Sequence, residues 1–333
     1  TLLLAAVVQA PDSTPTHSML RLPAGVPAPE IDGELDDAAW ALCEPLSPMR
    51  QVVPVAGAEA SERSEVLLTY DETNLYVGLR CYDDNPAGIR ATQMGRDANL
   101  DPDDRVEMLF DSFRDKRNAF WFQIGAAGSI GDALITRNGA SFNQRWDTIW
   151  YGEARVTDEG WFAEVRIPFA SMNFDPKGGT WGFNVRRHIR RKNEVVRWAS
   201  PEPRISFFSV ANAGTLTSFH DMKQGVGLDL TPFVTGAHTT NDSGKDRDFD
   251  GGLDIYYRIS PNTKLSLSFN TDFAETEVDD RQVNLTRFPL FFPEKRRFFL
   301  EVSGVFEFGT TRDVIPFFSR RIGLDEDGDT VPL

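Results

Sequence analysis

The stretch LSLSFNTDFAETEVDDRQVNLTRFPLFFPEKRRFFLE, Leu265 to Glu301, decides how the chain is read. Its first half alternates. Leu265, Leu267, Phe269, Thr271 and Phe273 fall on one side of an extended chain, and Ser266, Ser268, Asn270 and Asp272 on the other. A period of two belongs to a strand with one apolar and one wetted face. The second half sets Phe288, Phe291, Phe292, Phe298 and Phe299 beside Lys295, Arg296 and Arg297, while Pro289 and Pro293 exclude a regular helix or a central strand. Such a segment needs a partner surface.

Working back from it, GLDLTPFVTGAHT, GGLDIYYRIS and KLSLSFNTDF read as three alternating strands, joined by a polar loop at Thr239 to Gly251 and a tight SPNT turn, Ser260 to Thr263. Strands of this length, with a long loop at one end and a short turn at the other, fit a membrane barrel with its short turns on the periplasmic side; a soluble meander gives the same alternation. Further upstream the pattern stays all-β. EVLLTY (Glu65 to Tyr70), a DETN turn and LYVGLRCYDD (Leu75 to Asp84) form a hairpin. RVEMLFDSF (Arg105 to Phe113) places Val106, Met108 and Phe110 inward against Glu107, Leu109 and Asp111. AFWFQIG, GDALIT, WYGEARV, GWFAEVRI, TWGFNVRR and NEVVRWA follow with hairpin-sized gaps, which predicts an antiparallel β-sandwich.

Two stretches carry a family resemblance. The segment FNTDFAETEVDDRQVNLTRFPLFFPEKRRFFLE, followed by FFSRRIGL at Phe317 to Leu324, resembles bacterial outer-membrane-type proteins that have a family 9-like carbohydrate-binding domain in front and a barrel domain of unknown function behind. IDGELDDAAW, Ile31 to Trp40, resembles the opening motif of family 9 carbohydrate-binding modules. The resemblance implies a β-sandwich over residues 29–222. It also implies that residues 226–333 are the first strands of an incomplete outer-membrane barrel whose remainder lies beyond Leu333. Asn284 to Glu301 is then expected to line that barrel or cap its rim.

Composition narrows the function. The 333 residues carry a formal charge of -15, which repels polyanions and argues against nucleic acid and anionic lipid surfaces. The basic run RRHIRRK, Arg186 to Lys192, divides its charges between two strand faces and has no interleaved aromatics, so it partners the domain's own carboxylates. TLLLAAVVQA at the N-terminus reads as the remnant of a signal peptide (residues 1–10), and residues 11–28, rich in Pro and Ser, as a linker. Export to the cell outer membrane follows as an expectation, with lipid as one partner. No apolar run elsewhere is long enough for a spanning helix. Cys43 and Cys81 are compatible with a disulfide or with two buried thiols. Motifs for zinc, haem, nucleotide binding and Ser-His-Asp hydrolysis are absent, so no catalytic residue is assigned.

The resemblance implies glycan binding in support of polysaccharide breakdown or uptake, with a poly- or oligosaccharide as partner. Aromatic rings stack on a pyranose face while carboxylates and amides meet its hydroxyls. In DDRVEMLFD, Asp103 to Asp111, the family's ligand-facing acid carries over to Glu107; the Trp that sugar binders place about six positions earlier is Asp101 here. The family's second aromatic falls near Phe207 or Phe208, its polar partner near Gln123, and Trp146 and Trp150 in RWDTIW, flanking Asp147, offer an alternative ring. Trp40, Trp161 and Trp181 sit in apolar alternation and read as core. Against the sugar site stand two alternatives: that Glu107 merely pairs with an Arg on the sheet, and that the sandwich is a plug or docking domain for the barrel. Calcium is the one candidate cofactor, at Asp101, Asp103 and Asp104, or at the DRDFDGG (Asp246 to Gly252) and DEDGD (Asp325 to Asp329) runs; solvated turns between strands are the preferred reading of these runs.

Overall fold

The computed structural model describes residues 14–144, 146–225, 227–241, 244–260 and 263–270. They divide into two units, one formed by residues up to 142 with 148–223, the other by 143–147 with 224 onward. The described elements are almost entirely strands, as the alternation predicts.

The first unit is built from two sheets. One runs in the order β1 (Thr16–Ser18), β14 (Gly214–Thr217), β12 (Trp181–Ile189), β6 (Arg105–Asp111), β7 (Ala119–Gly125), β8 (Ile130–Thr136) and β9 (Ser141–Asn143). Beside it, β13 (Glu194–Arg197) pairs with both β12 and β3 (Arg50–Val53). The other runs β10 (Tyr151–Thr157), β11 (Gly160–Pro168), β5 (Asn74–Tyr82), β4 (Ser64–Tyr70), β2 (Leu20–Arg21). Residues read as a linker thus supply an edge strand to each sheet, and both of these strands pair in parallel, β1 with β14 and β2 with β4. Met19, between them, is buried. Backbone pairing needs no hydrophobic pattern, so a Pro- and Ser-rich segment joins a sheet edge without any signal in its side chains.

The hairpin β4–β5 turns where Asp71 Oδ1 accepts the backbone N–H groups of Thr73 at 2.6 Å and Asn74 at 2.7 Å, a side-chain turn that Asp forms readily. Inward residues of β5 (Leu75, Val77, Leu79, Cys81) and of β6 (Val106, Met108, Phe110) are buried as expected. Trp40, Trp161 and Trp181 are buried too. Arg187 crosses this core: it is fully buried and donates to the carbonyls of Arg63 at 3.0 Å and Tyr82 at 2.7 Å and to Ser64 Oγ at 2.9 Å. Both cysteines are free thiols, Cys43 donating to the Ala39 carbonyl.

IDGELDDAAW is held by one carboxylate. Glu164, on β11, accepts the N–H groups of Asp32 and Gly33 at 3.0 Å on Oε2 and the Trp40 indole at 2.6 Å on Oε1. This anchors α1 (Ala38–Ala41) and its buried Trp40 on the sheet. Asp37 is the N-cap residue by position, but its carboxylate accepts the Glu30 N–H instead of capping.

The second unit contains β15 (Leu228–Asn241), β16 (Gly244–Ser260) and β17 (Thr263–Phe269), a three-stranded antiparallel sheet. The loop expected at Thr239 to Gly251 is not a loop: pairing continues to Asn241 opposite Gly244. Ladder hydrogen bonds belong to the backbone, so polar side chains do not end a strand. The DRDFDGG run accordingly lies in β16. The signal-peptide remnant, Asn284 to Glu301, FFSRRIGL and DEDGD lie outside the described residues. No helix among the described residues is long and apolar enough to cross a membrane.

Replacing Glu164 with Ala leaves the Trp40 indole and two backbone N–H groups without their acceptor, and urea unfolding of the first unit at pH 7 is expected to lose about 3 kcal/mol or more. Burial pushes the Glu164 carboxyl up to about 7 against those hydrogen bonds. Its contribution is therefore full below the unfolded value and is lost as pH rises through 7. The stability difference between wild type and Glu164→Gln should shrink across that range; a flat difference contradicts the assignment.

Candidate functional site

Glu107 is the centre of a row that crosses the first sheet. In register, Gly131 on β8, Gln123 on β7, Glu107 on β6, Arg186 on β12, Arg197 on β13 and Arg50 on β3 stand side by side. Residues directly opposite one another in a sheet share a face. On the same face, the next positions of β6 and β7 toward β8 are Leu109 and Trp121, which pack with Ala133, Ile135, Phe207, Val210 and Ala213 into a second small core. Both faces of β6 are therefore covered, and all seven of its residues are buried.

The carboxylate is surrounded by cations. Arg105 Nε lies 3.2 Å from Oε1, Arg186 Nε pairs with Oε2, and His188 Nε2 is 3.7 Å from Oε2, beyond hydrogen-bond reach. Glu107 is only 3 % exposed. Burial raises a carboxyl, but Arg186 and His188 together outweigh it and hold Glu107 well below the usual carboxylate range. Burial lowers His188, with Glu107 opposing, and brings Arg197 down to about 10, with Arg186 as the next cause.

Two segments frame this row. On one side the loop before β6 approaches: Arg105 donates to the Leu100 carbonyl at 2.6 Å and to Asp101 Oδ1 at 2.9 Å, and Gln123 Nε2 to the Ala98 carbonyl at 3.4 Å. On the other side Arg197 donates to the carbonyls of Ser200 and Ile205 at 2.9 Å, holding the segment that carries Phe207 and Phe208. The Arg186 guanidinium lies over the Phe207 ring at 4.3 Å and the Phe208 ring at 5.3 Å, within range for cation–π attraction. Gly139, at φ +88, supports Phe208 from below, where a Cβ would stand 2.5 Å from the Phe208 carbonyl oxygen. Asn138 Oδ1 accepts the Ala211 N–H at 2.9 Å in the same turn.

The structure brings Glu107, Gln123 and Phe207 together on one face, and puts Asp101 beside them on Arg105. Trp146 lies in the segment 143–147 that groups with the second unit. Neighbouring Trp150 is buried and donates to Asp132 at 2.8 Å. Arg105, Arg186, Arg197 and His188 were not selected from the sequence. Arg105 precedes Glu107 by two positions in RVEMLFD, so strand parity was a usable signal; the contribution of RRHIRRK required knowledge of which strand pairs with β6.

The candidate metal carboxylates each have other work. Asp103 accepts the N–H groups of Thr92 at 2.6 Å and Gln93 at 2.7 Å, Asp104 that of Arg90 at 2.9 Å, and Asp101 pairs with Arg105. Among the described residues one set of three carboxylates comes together, Glu62, Asp83 and Asp84. Arg191 pairs with all three and Lys192 Nζ stands 2.5 Å from Glu62, so organic cations fill that position.

Comparison with known proteins gives two family matches. Residues 31–201 match the family described as "Carbohydrate family 9 binding domain-like", and residues 225–330 match a "Domain of unknown function (DUF5916)". Among solved structures, the chain is similar to a carbohydrate binding module family 9 from Caldicellulosiruptor kristjanssonii in complex with glucose, at 17 % identity over 62 % of this chain and 96 % of that one, with a TM-score of 0.44. The module in complex with cellotriose gives 16 % identity over 63 % and 97 %, with a TM-score of 0.44. A protein of Bacteroides uniformis ATCC 8492 gives 14 % identity over 62 % and 99 %, with a TM-score of 0.48. None of the curated proteins matches.

Removing the Glu107 carboxylate takes away the acid that Arg105 and Arg186 share, leaving Arg105 with Asp101 as its remaining carboxylate, and Glu107→Ala is expected to cost about 3–5 kcal/mol in urea unfolding. Because the folded-state value is depressed, the stability Glu107 contributes is present above the unfolded carboxyl value and is lost as pH falls through the folded one. Glu107→Gln should therefore show a shallower loss of stability on acidification than wild type; parallel acid limbs would falsify the pairing.

Proposed function

Because the chain belongs to the carbohydrate family 9 binding domain-like family, matched over residues 31–201, we propose that its first unit is a glycan-binding module whose binding face is the row around Glu107. The observation that carries this reading is the juxtaposition of charged hydrogen-bonding groups and aromatic rings on one sheet face: Glu107, Gln123 and Arg186 beside Phe207 and Phe208. A sugar ring needs an apolar platform next to fixed donors and acceptors. Here Arg186 stays partly accessible above its ion pair and Phe208 is half-buried, so these two form the reachable rim, and the Glu107 pairs fix their positions. The module serves polysaccharide breakdown or uptake at the cell envelope, and the second unit anchors it there in the outer membrane.

A specific observation favours a second reading. Both Glu107 oxygens are already engaged by guanidinium groups, and Asp101 stands where the resemblance places a stacking Trp. On that reading the sandwich is a docking or plug domain and binds no glycan.

Calorimetric titration of the protein with glucose, cellotriose and a panel of other oligosaccharides separates the two. The glycan reading expects a saturable response with at least one member of the panel, weakened about tenfold or more in Arg186→Ala, which removes a charged donor. Phe208→Ala should weaken the same ligand through loss of ring contact. Silence across the panel from folded protein favours the docking domain.

A further inference from the structure

The sheet of the second unit has its polarity reversed. On β15, Leu228, Leu230 and Val234 are exposed, whereas the intervening Asp229 and Thr231 are half-buried. On β17, Leu265, Leu267 and Phe269 are exposed while Ser266 and Ser268 between them are half-buried. A water-facing sheet puts its polar side chains outward, because apolar surface left in water costs about 25 cal/mol per Å². Val234 and Phe249 reach 82 % and 78 % exposure. On the opposite face, Ser268 Oγ donates to Asp254 Oδ1 at 2.5 Å and Tyr256 is 1 % exposed, so the polar groups are the sheltered ones.

Register makes these residues one surface. Leu228 stands opposite Tyr257, which stands opposite Leu265, and Leu230 opposite Ile255, which stands opposite Leu267. The outward row of β16 runs from Phe249 to Ile259 without a charged residue, in a chain of which 26 % is charged. At ~3.3 Å per residue that row is about 33 Å long, and at a strand tilt of ~40° it spans about 25 Å, the height of the apolar band of a membrane barrel. A protein partner or a second copy would meet such a band with a polar rim and would not require its height to match a bilayer.

Resting on the anchoring proposed above, we infer that the outward face of β15–β17 lies against the acyl chains of a bilayer and that the face carrying Asp229, Asp254, Ser266 and Ser268 is turned from lipid. The uncharged row complements uncharged hydrocarbon, and the sheltered carboxylates and hydroxyls find their hydrogen bonds away from it.

The test uses the full chain in a Cys43→Ser, Cys81→Ser background with a single labelled cysteine at Leu230, Leu267, Thr231 or Ser266. The four variants are reconstituted into phosphatidylcholine and phosphatidylglycerol vesicles, and flotation measures insertion. Lipids brominated along the chain then quench the fluorescent label. The expected result is flotation of all four, with quenching at positions 230 and 267 several-fold stronger than at 231 and 266. Flotation with equal or reversed quenching overturns the assignment of faces and leaves the anchoring intact. Protein that folds but does not float overturns the anchoring and this inference together.

Discussion

A carboxylate taken out of water must keep a compensating charge, and in this protein that constraint organises the outer face of the larger sheet. Glu107 is 3 % exposed and is held between Arg105 and Arg186. The penalty for burying each ion is several kcal/mol, and the pairs offset it only where the geometry is fixed. Fixing it commits the surroundings. Arg105 is tied to Leu100 and Asp101, and Arg186 lies on Phe207 and Phe208. Two loops distant in sequence are thus positioned by one acid.

On the inner face, buried charges are held by hydrogen bonds to neutral groups. Arg187, fully buried one position after Arg186, points to the other side of β12 and donates from its two terminal nitrogens to the carbonyls of Arg63 and Tyr82 and the Ser64 hydroxyl, at β4 and β5. Strand parity alone sends adjacent arginines to the two faces. One holds the sheets together and the other holds the covering segments. Glu164 completes the set by receiving the opening motif through three N–H groups. Charged residues here act as fasteners between elements whose apolar surfaces would otherwise specify contact without specifying position.

Strand type and most strand positions were legible in the sequence, because period-two alternation in EVLLTY, LYVGLRCY and RVEMLFD is a local signal. The two-sided burial of β6 was not legible. Leu109 read as solvent-facing, and only the fold brings Phe207 and Val210 over it. Edge strands β1 and β2 escaped because their pairing rests on backbone groups. The hairpin joining β15 and β16 was cut short on paper for the same reason, since DRDFD is a poor strand by composition yet continues the ladder. Of the row around Glu107, resemblance named Glu107, Gln123 and the Phe207 region, and parity would have added Arg105. Arg186 and Arg197 depended on knowing strand order, which no local pattern contains.

The two units place polar groups by opposite rules. In the first, Leu, Val and Phe are inside and exposed apolar residues are scattered, as in any water-soluble sandwich. In the second, alternation is just as regular, but the sheltered positions of β17 are Ser266 and Ser268 and the open ones Leu265, Leu267 and Phe269. Alternation by itself cannot tell these cases apart, because a pattern of two faces does not say which face is wet. Exposure supplies the missing bit. The sheet shelters Asp254 and Tyr256 while leaving Phe249 open, and the lipid-facing arrangement we propose for β15–β17 accounts for that inversion.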